Sequence, residues 1–310
     1  MAVLWFVGRH VARTWRDLAG RDLLPRLDLG WLAVAVGLYV AGLVAFGCYF
    51  WRVMAASPSP TALFPAIRAY VISHLGKYVP GKAMVVVIRA ALVAPSGARP
   101  ATAAFATLYE TLAMMAAGGL VAGLGFALGP GSSAALIPLG TWAGRSFEAP
   151  LSVLGFALAA PFLVVTWPSI FPRLAGLARV PLPGVGPDAL PRFSKGLLAE
   201  GLAWSALGWV LLGLSQVAVI GAMVPAGLPP SSWPLAVASV ALATVAGFAV
   251  PIAPGGLGVR EWVLWTALAS AIDRDLAVVA ALVLRLAWVV GEVVASAVLF
   301  AARPGRGGPG

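Results

Sequence analysis

Apolar runs long enough to cross a bilayer dominate this chain, and two of them are broken by Pro-Gly motifs that carry charge. Continuous runs cover residues 30–51, 101–128, 150–171, 196–224 and 276–302. A span needs about 20 apolar residues, so each predicts a transmembrane helix. Residues 61–93 and 234–272 are also apolar but interrupted. Lipid tolerates non-helical backbone only where protein or a water-filled cavity satisfies the freed N–H and C=O groups. Each interrupted region therefore reads as two short helices meeting inside the membrane. The predicted fold is an all-α polytopic integral membrane protein with about five to six full spans plus two broken or re-entrant helical hairpins. Composition agrees, with 61% hydrophobic and 10% charged residues and a net charge of +10.

Little else fits in the length. Residues 1–29 read as a cytoplasmic N-terminal segment, 30–303 as one transmembrane domain and 304–310 as a disordered tail. In the N-terminal segment Leu4, Val7, Val11, Trp15 and Leu18 recur at helical spacing, with Arg9, Arg13 and Arg16 on another face. That pattern suits an amphipathic helix on an anionic surface, or a plain juxtamembrane segment. The single cysteine, Cys48, excludes an internal disulfide and reads as a packing residue. The basic excess flanks apolar spans, so it points to topology and anionic lipid rather than nucleic acid.

Charge counting predicts both termini on the cytoplasmic side of a bacterial plasma membrane. It groups Arg9, Arg13, Arg16, Arg21 and Arg26 with Arg173, Arg179, Arg192 and Lys195 and with Arg303 and Arg306, leaving Arg52, Arg145 and Arg274 outside. Residues 234–272 then enter and leave on the outer side, while the crossing count of 61–93 stays open. The Pro-rich stretch 173–195 reads as an extended loop. Gly119-x-x-x-Gly123 and Gly125-x-x-x-Gly129 predict close packing of helices within the chain.

The breaks carry the chemistry. The first reads His74-Leu75-Gly76-Lys77-Tyr78-Val79-Pro80-Gly81-Lys82, and the second Pro251-Ile252-Ala253-Pro254-Gly255-Gly256-Leu257-Gly258-Val259-Arg260-Glu261. Within spans and breaks the cations are Arg68, His74, Lys77, Lys82, Arg89, Arg260 and Arg285. The carboxylates are Glu110, Glu261 and Glu292, with Glu200 nearer an interface. Charges in hydrocarbon are costly and pair, so Glu110, Arg285 and Glu292 form a predicted charge network. Arg285 and Glu292 lie on one face of a helix and are each other's expected partners. The surplus cations call for an external anion, and a lipid phosphate is the nearest candidate. Glycines at 255, 256 and 258 let backbone approach such a ligand, and the following helix start offers unpaired N–H groups.

These two motifs, with Arg89, Glu110 and Arg285, resemble the transmembrane domain of bacterial lysylphosphatidylglycerol synthase/flippase proteins over roughly residues 30–302. The resemblance implies a flippase-like domain. In the large members it is assigned the movement of aminoacylated phosphatidylglycerol between leaflets, and a separate soluble domain makes that lipid from aminoacyl-tRNA. A standalone membrane domain is expected here. The candidate substrate-binding set is Lys77, Tyr78, Pro80, Gly81, Lys82, Arg89, Gly255, Gly256, Gly258, Arg260 and Glu261. The expected partners are an anionic membrane lipid and a separately encoded lipid-modifying enzyme, with no cofactor. His10 and His74 do not cluster with carboxylates, so no metal site is expected. Two alternatives stay open: an embedded transferase using Glu110 or Glu261 as base, and a membrane scaffold for a separate synthase.

Overall fold

In a computed structural model of the chain, residues 27–79, 83–129, 136–142, 145–178, 190–249, 259–269 and 271–302 are described. The amphipathic reading of the N-terminal segment and the tail 304–310 lie outside them.

The helices follow the apolar runs and start where sequence provides a cap. α1 is Leu29–Ala55, opened by Asp28, whose carboxylate accepts from the amides of Gly30 and Trp31. α2 (Leu63–His74) runs into a 3-10 turn, Leu75–Tyr78, and α3 is Ala83–Val93. α4 (Pro100–Leu128) starts on a proline, which suits the first turn because its missing N–H is not needed there. A short antiparallel ribbon follows, β1 (Leu136–Trp142) and β2 (Arg145–Pro150), with Leu136 opposite Pro150. α5 is Leu151–Thr166 and α6 is Phe171–Ala178. Ser194 caps α7 (Lys195–Met223), α8 is Trp233–Ala249, α9 is Val259–Leu268, and Asp273 caps α10 (Arg274–Ala301).

Among the described residues, five helices are long and apolar enough to cross a membrane: α1, α4, α7, α8 with its preceding turn, and α10. The α5–α6 pair, bent by 71°, makes a sixth. The expected continuous span over 150–171 is therefore broken. Trp167, in extended backbone before Pro168, ends α5, because the proline ring disfavours helical geometry in the residue before it. α6 also claims the start of what sequence presented as the extended loop 173–195.

Contacts fix the path. Take the Leu29 end of α1 as the lower face and its Ala55 end as the upper. α7 runs antiparallel to α1: the Asp28 amide donates to Ala222 O at 3.0 Å below, and the Arg192 amide to Ala56 O at 2.9 Å above. The first hairpin, α2–α3, enters and leaves at the upper face, where the Arg99 amide donates to Ser59 Oγ at 3.1 Å. α4 descends, and α5 climbs beside it. The second hairpin starts below, with Ala238 against Gly125 and Val245 against Gly118. It returns along α10, where Leu264, Ala281 and Leu284 share one recess. α10 climbs parallel to α1: Gly291 meets Val36, Tyr39 and Val40, and Arg68 Nε donates to Leu299 O at 2.8 Å.

The result is helix–hairpin–helix twice over, α1–(α2–α3)–α4 and α7–(α8–α9)–α10, in opposite directions and joined through α5. It corrects the charge count. Arg52, expected across the membrane from 173–195, bonds Glu200 at 2.6 Å at the base of α7. Neither hairpin changes its end of the bundle, and the outer ends of α1 and α10 lie at opposite ends of it. The charge grouping needed residues 61–93 to cross, and they return to their own end of the bundle; the termini themselves lie outside the described residues. Packing uses small residues as the Gly-x-x-x-Gly spacing predicted. A Cβ on Gly155 would stand 2.5 Å from Gly123 N, and one on Gly119 would stand 2.8 Å from Ala159 Cβ.

Candidate functional site

Described residues beside the two breaks reach the same part of the bundle from opposite ends. Lys77 comes from the 3-10 turn after α2 and Arg260 from the first turn of α9. Between them stand Tyr39 of α1 and Trp288 of α10, stacked with ring centroids 4.4 Å apart and planes at 11°. The Arg260 guanidinium lies 4.3 Å from the Trp288 ring, a cation–π contact. The Lys77 ammonium lies 6.0 Å from the Tyr39 ring and 5.2 Å from that of Tyr78. Trp288 is pinned by its Nε1 donating to Ser215 Oγ at 3.0 Å, and that hydroxyl donates onward to Ala35 O at 2.8 Å.

Glu292 stands one turn beyond Trp288 on the same face of α10. It is fully buried, and its Oε1 accepts from Lys77 Nζ at 2.5 Å and from the Tyr39 hydroxyl. Lys77 also donates to Tyr39 at 3.3 Å, and His74 Nε2 lies 3.9 Å from the same carboxylate oxygen. Glu292 Oε2 has no hydrogen-bond partner among the described residues. A small recess with room for about one water lies beside the stack, lined by Arg260, Leu264, Ala281, Leu284 and Arg285. Two guanidiniums in one recess form an anion-attracting concavity.

The second polar cluster is separate and closed. Arg89 of α3 donates to Glu110 Oε2 at 3.0 Å and to Ser73 Oγ at 3.0 Å. Its guanidinium stacks on Tyr70 at 4.1 Å and Phe50 at 4.9 Å. Glu110 also accepts from Tyr70 and Thr111. Both members of the pair are buried. The clusters touch through Tyr70, whose ring stacks on His74 at 6.2 Å.

Of the residues sequence singled out, Lys77, Tyr78, Arg260, Arg285 and Glu292 therefore converge, while Arg89 and Glu110 engage one another apart from them. Pro80, Gly81, Lys82, Gly255, Gly256 and Gly258 lie outside the described residues, as does the Glu261 side chain, although its backbone belongs to α9. Glu292 takes Lys77 from another element, whereas sequence paired it with Arg285 on its own helix. Sequence missed Tyr39, Ser73 and Trp288. The available signal was spacing, since Trp288 precedes Glu292 by one turn. A buried aromatic hydroxyl or indole also needs a polar partner.

Fold and site define a class: a polytopic helical membrane protein with two oppositely inserted hairpins that carry cations to a buried carboxylate. Residues 2–295 match the family described as the lysylphosphatidylglycerol synthase TM region, and the chain belongs to it. None of the curated proteins matches the chain.

Proposed function

We propose that this protein binds the phosphate of anionic lipid headgroups, from phospholipid or polyprenyl phosphate, in the polar region between the hairpin tips and carries it between leaflets of a bacterial plasma membrane. One observation carries the reading: Lys77 and Arg260, delivered from opposite faces, flank the Tyr39–Trp288 stack, next to a recess shared by Arg260 and Arg285. Broken helices that meet between inverted halves suit a site reachable from both sides. The arginine fork and the lysine point charge supply complementary donors to phosphate. Lys82 and the glycines of the second break belong to the same proposal, and a separate lipid-modifying enzyme would supply or receive the cargo.

The test is leaflet exchange of labelled phosphatidylglycerol, and separately of a polyprenyl phosphate, in liposomes containing the full chain. Lys77→Gln and Arg260→Gln each remove a charge-assisted contact worth about 1.5–3 kcal/mol, so exchange should fall roughly tenfold or more. Arg260→Lys should also be impaired if the fork is needed. Wild-type protein that moves neither lipid, or variants that move them equally well, would overturn the reading. A covalently altered lipid would assign a transferase instead.

A further inference from the structure

We infer that α6, with Trp167 and Lys195 beside it, is an interfacial docking surface for anionic phospholipid: Leu174 and Leu177 enter the acyl zone while Arg173 and Lys195 hold headgroup phosphate. The surface stands at the upper end of the bundle, apart from the region between the hairpins, and its lipid stays outside the protein. It requires neither transport nor the interior site. Direction is the first ground. α5 packs along α4, with Gly155 against Gly123 and Ala159 against Gly119, whereas α6 departs from α5 by 71°. A helix turned that far from a span runs closer to the membrane plane than to its normal.

The faces of α6 are the second ground. Phe171 and Ala175, one turn apart, are buried, and Phe171 packs edge-on against Tyr109 and Phe193, each with ring centroids 4.9 Å away. The other side carries Leu174 and Leu177, 43% and 71% exposed, and exposed Arg173 one turn before Leu177. Trp167, at the bend, is 45% exposed and has the Lys195 ammonium 5.8 Å from its ring. One surface thus holds two leucines, an indole and two cations. An apolar face edged by arginine and lysine, with tryptophan at its end, suits the boundary between headgroups and acyl chains. Long basic side chains reach phosphate from there while their stems stay in apolar surroundings.

Charge decides which lipid. Among the described residues Arg52, Arg99, Arg173, Arg192 and Lys195 mark the upper end, against the carboxylate of Glu200, which Arg52 engages. The lower end shows the reverse, with Asp28, Asp273 and Asp275 against Arg274. A zwitterionic headgroup offers the upper end no net attraction. An anionic one gains about fivefold in local affinity for each lysine or arginine at the surface. Basic segments face the cytoplasmic leaflet, which carries anionic lipid, so the upper end belongs on that side. Arg173 and Lys195 are the cations that α6 and Trp167 bring beside the exposed leucines.

Contact quenching at α6 is the test. The full chain with Cys48→Ser and Leu177→Cys, carrying a fluorophore at position 177, is reconstituted in phosphatidylcholine vesicles doped with nitroxide-labelled phosphatidylglycerol or nitroxide-labelled phosphatidylcholine. Phosphatidylglycerol should quench at a concentration roughly tenfold lower than phosphatidylcholine, and the preference should shrink as salt rises. Arg173→Gln together with Lys195→Gln should bring the two lipids close to equality. Lys77→Gln should leave the preference unchanged, because that residue belongs to the interior site, so a failure of leaflet exchange has no bearing on α6. A label quenched by neither lipid lies in water or beneath protein, a second copy of this chain included, and overturns the docking surface. Equal quenching by both lipids overturns the choice of anionic lipid. A preference that survives loss of both cations overturns their role. The salt response of the protein with both cations intact reads the same charge without either substitution.

Discussion

Two ion pairs in the same bundle look alike on paper and differ in what they can do. Arg89–Glu110 and Lys77–Glu292 each join a cation from the first hairpin to a fully buried carboxylate on a long helix. Arg89 is as buried as its partner and has further contacts to Ser73, Tyr70 and Phe50. Lys77 keeps a quarter of its side chain accessible, and Glu292 keeps one oxygen unmet among the described residues. A closed, fully satisfied pair holds a hairpin in place. A pair with an open side can exchange partners. Nothing in residue type separates them; packing does.

The largest expected effect falls on the closed pair. Glu110→Leu strands a buried guanidinium and should cost about 3–5 kcal/mol, read as a fall in thermal unfolding temperature in detergent. Adding Arg89→Leu should restore most of that loss, since replacing both members with apolar groups is often neutral. A double variant as unstable as Glu110→Leu would mean that the cluster is more than an ion pair. At the open pair, Glu292→Gln should cost only about 1–2 kcal/mol, because Lys77 can turn to water while the amide still accepts from Tyr39. Equal losses from Glu110→Leu and Glu292→Gln would erase the distinction. Smallest of all, Tyr39→Phe removes one hydroxyl and should cost about 1 kcal/mol while keeping the stack on Trp288, checked by unfolding and by leaflet exchange.

The family, four of the five long apolar helices and the two hairpins were legible because period and length encode them, whereas α8 was read as part of the broken region 234–272 and 150–171 as one continuous span. The sense of each crossing was not, since it depends on whether residues 61–93 return to their own side. That is decided by pairings such as Ser59 with Arg99, remote in sequence. The bend at Trp167–Pro168 was visible only as a proline inside the run 150–171. In the site, charged residues stood out against an apolar background, so Lys77, Arg260, Arg285 and Glu292 were named. Tyr39 and Trp288 look like any membrane aromatic until the fold brings them together. Arg89 was grouped with the lipid-binding cations as well as with the candidate partners of Glu110, because nothing local reveals that Ser73 and Glu110 already occupy its donors.

The α4–α5 seam has a consequence for the fatty part of any lipid. With Gly155 backbone against Gly123 backbone, that wall of the bundle is shut to an acyl chain. If the proposed function holds, the tails of a lipid held at Lys77 stay outside and travel along another surface. α10 offers one: Val290, Val294 and Val298 are 53%, 54% and 62% exposed and form an apolar stripe of i, i+4 side chains on the face of the helix turned away from Glu292. Under the proposed function, the headgroup would cross inside the bundle while its chains stay in the surrounding hydrocarbon.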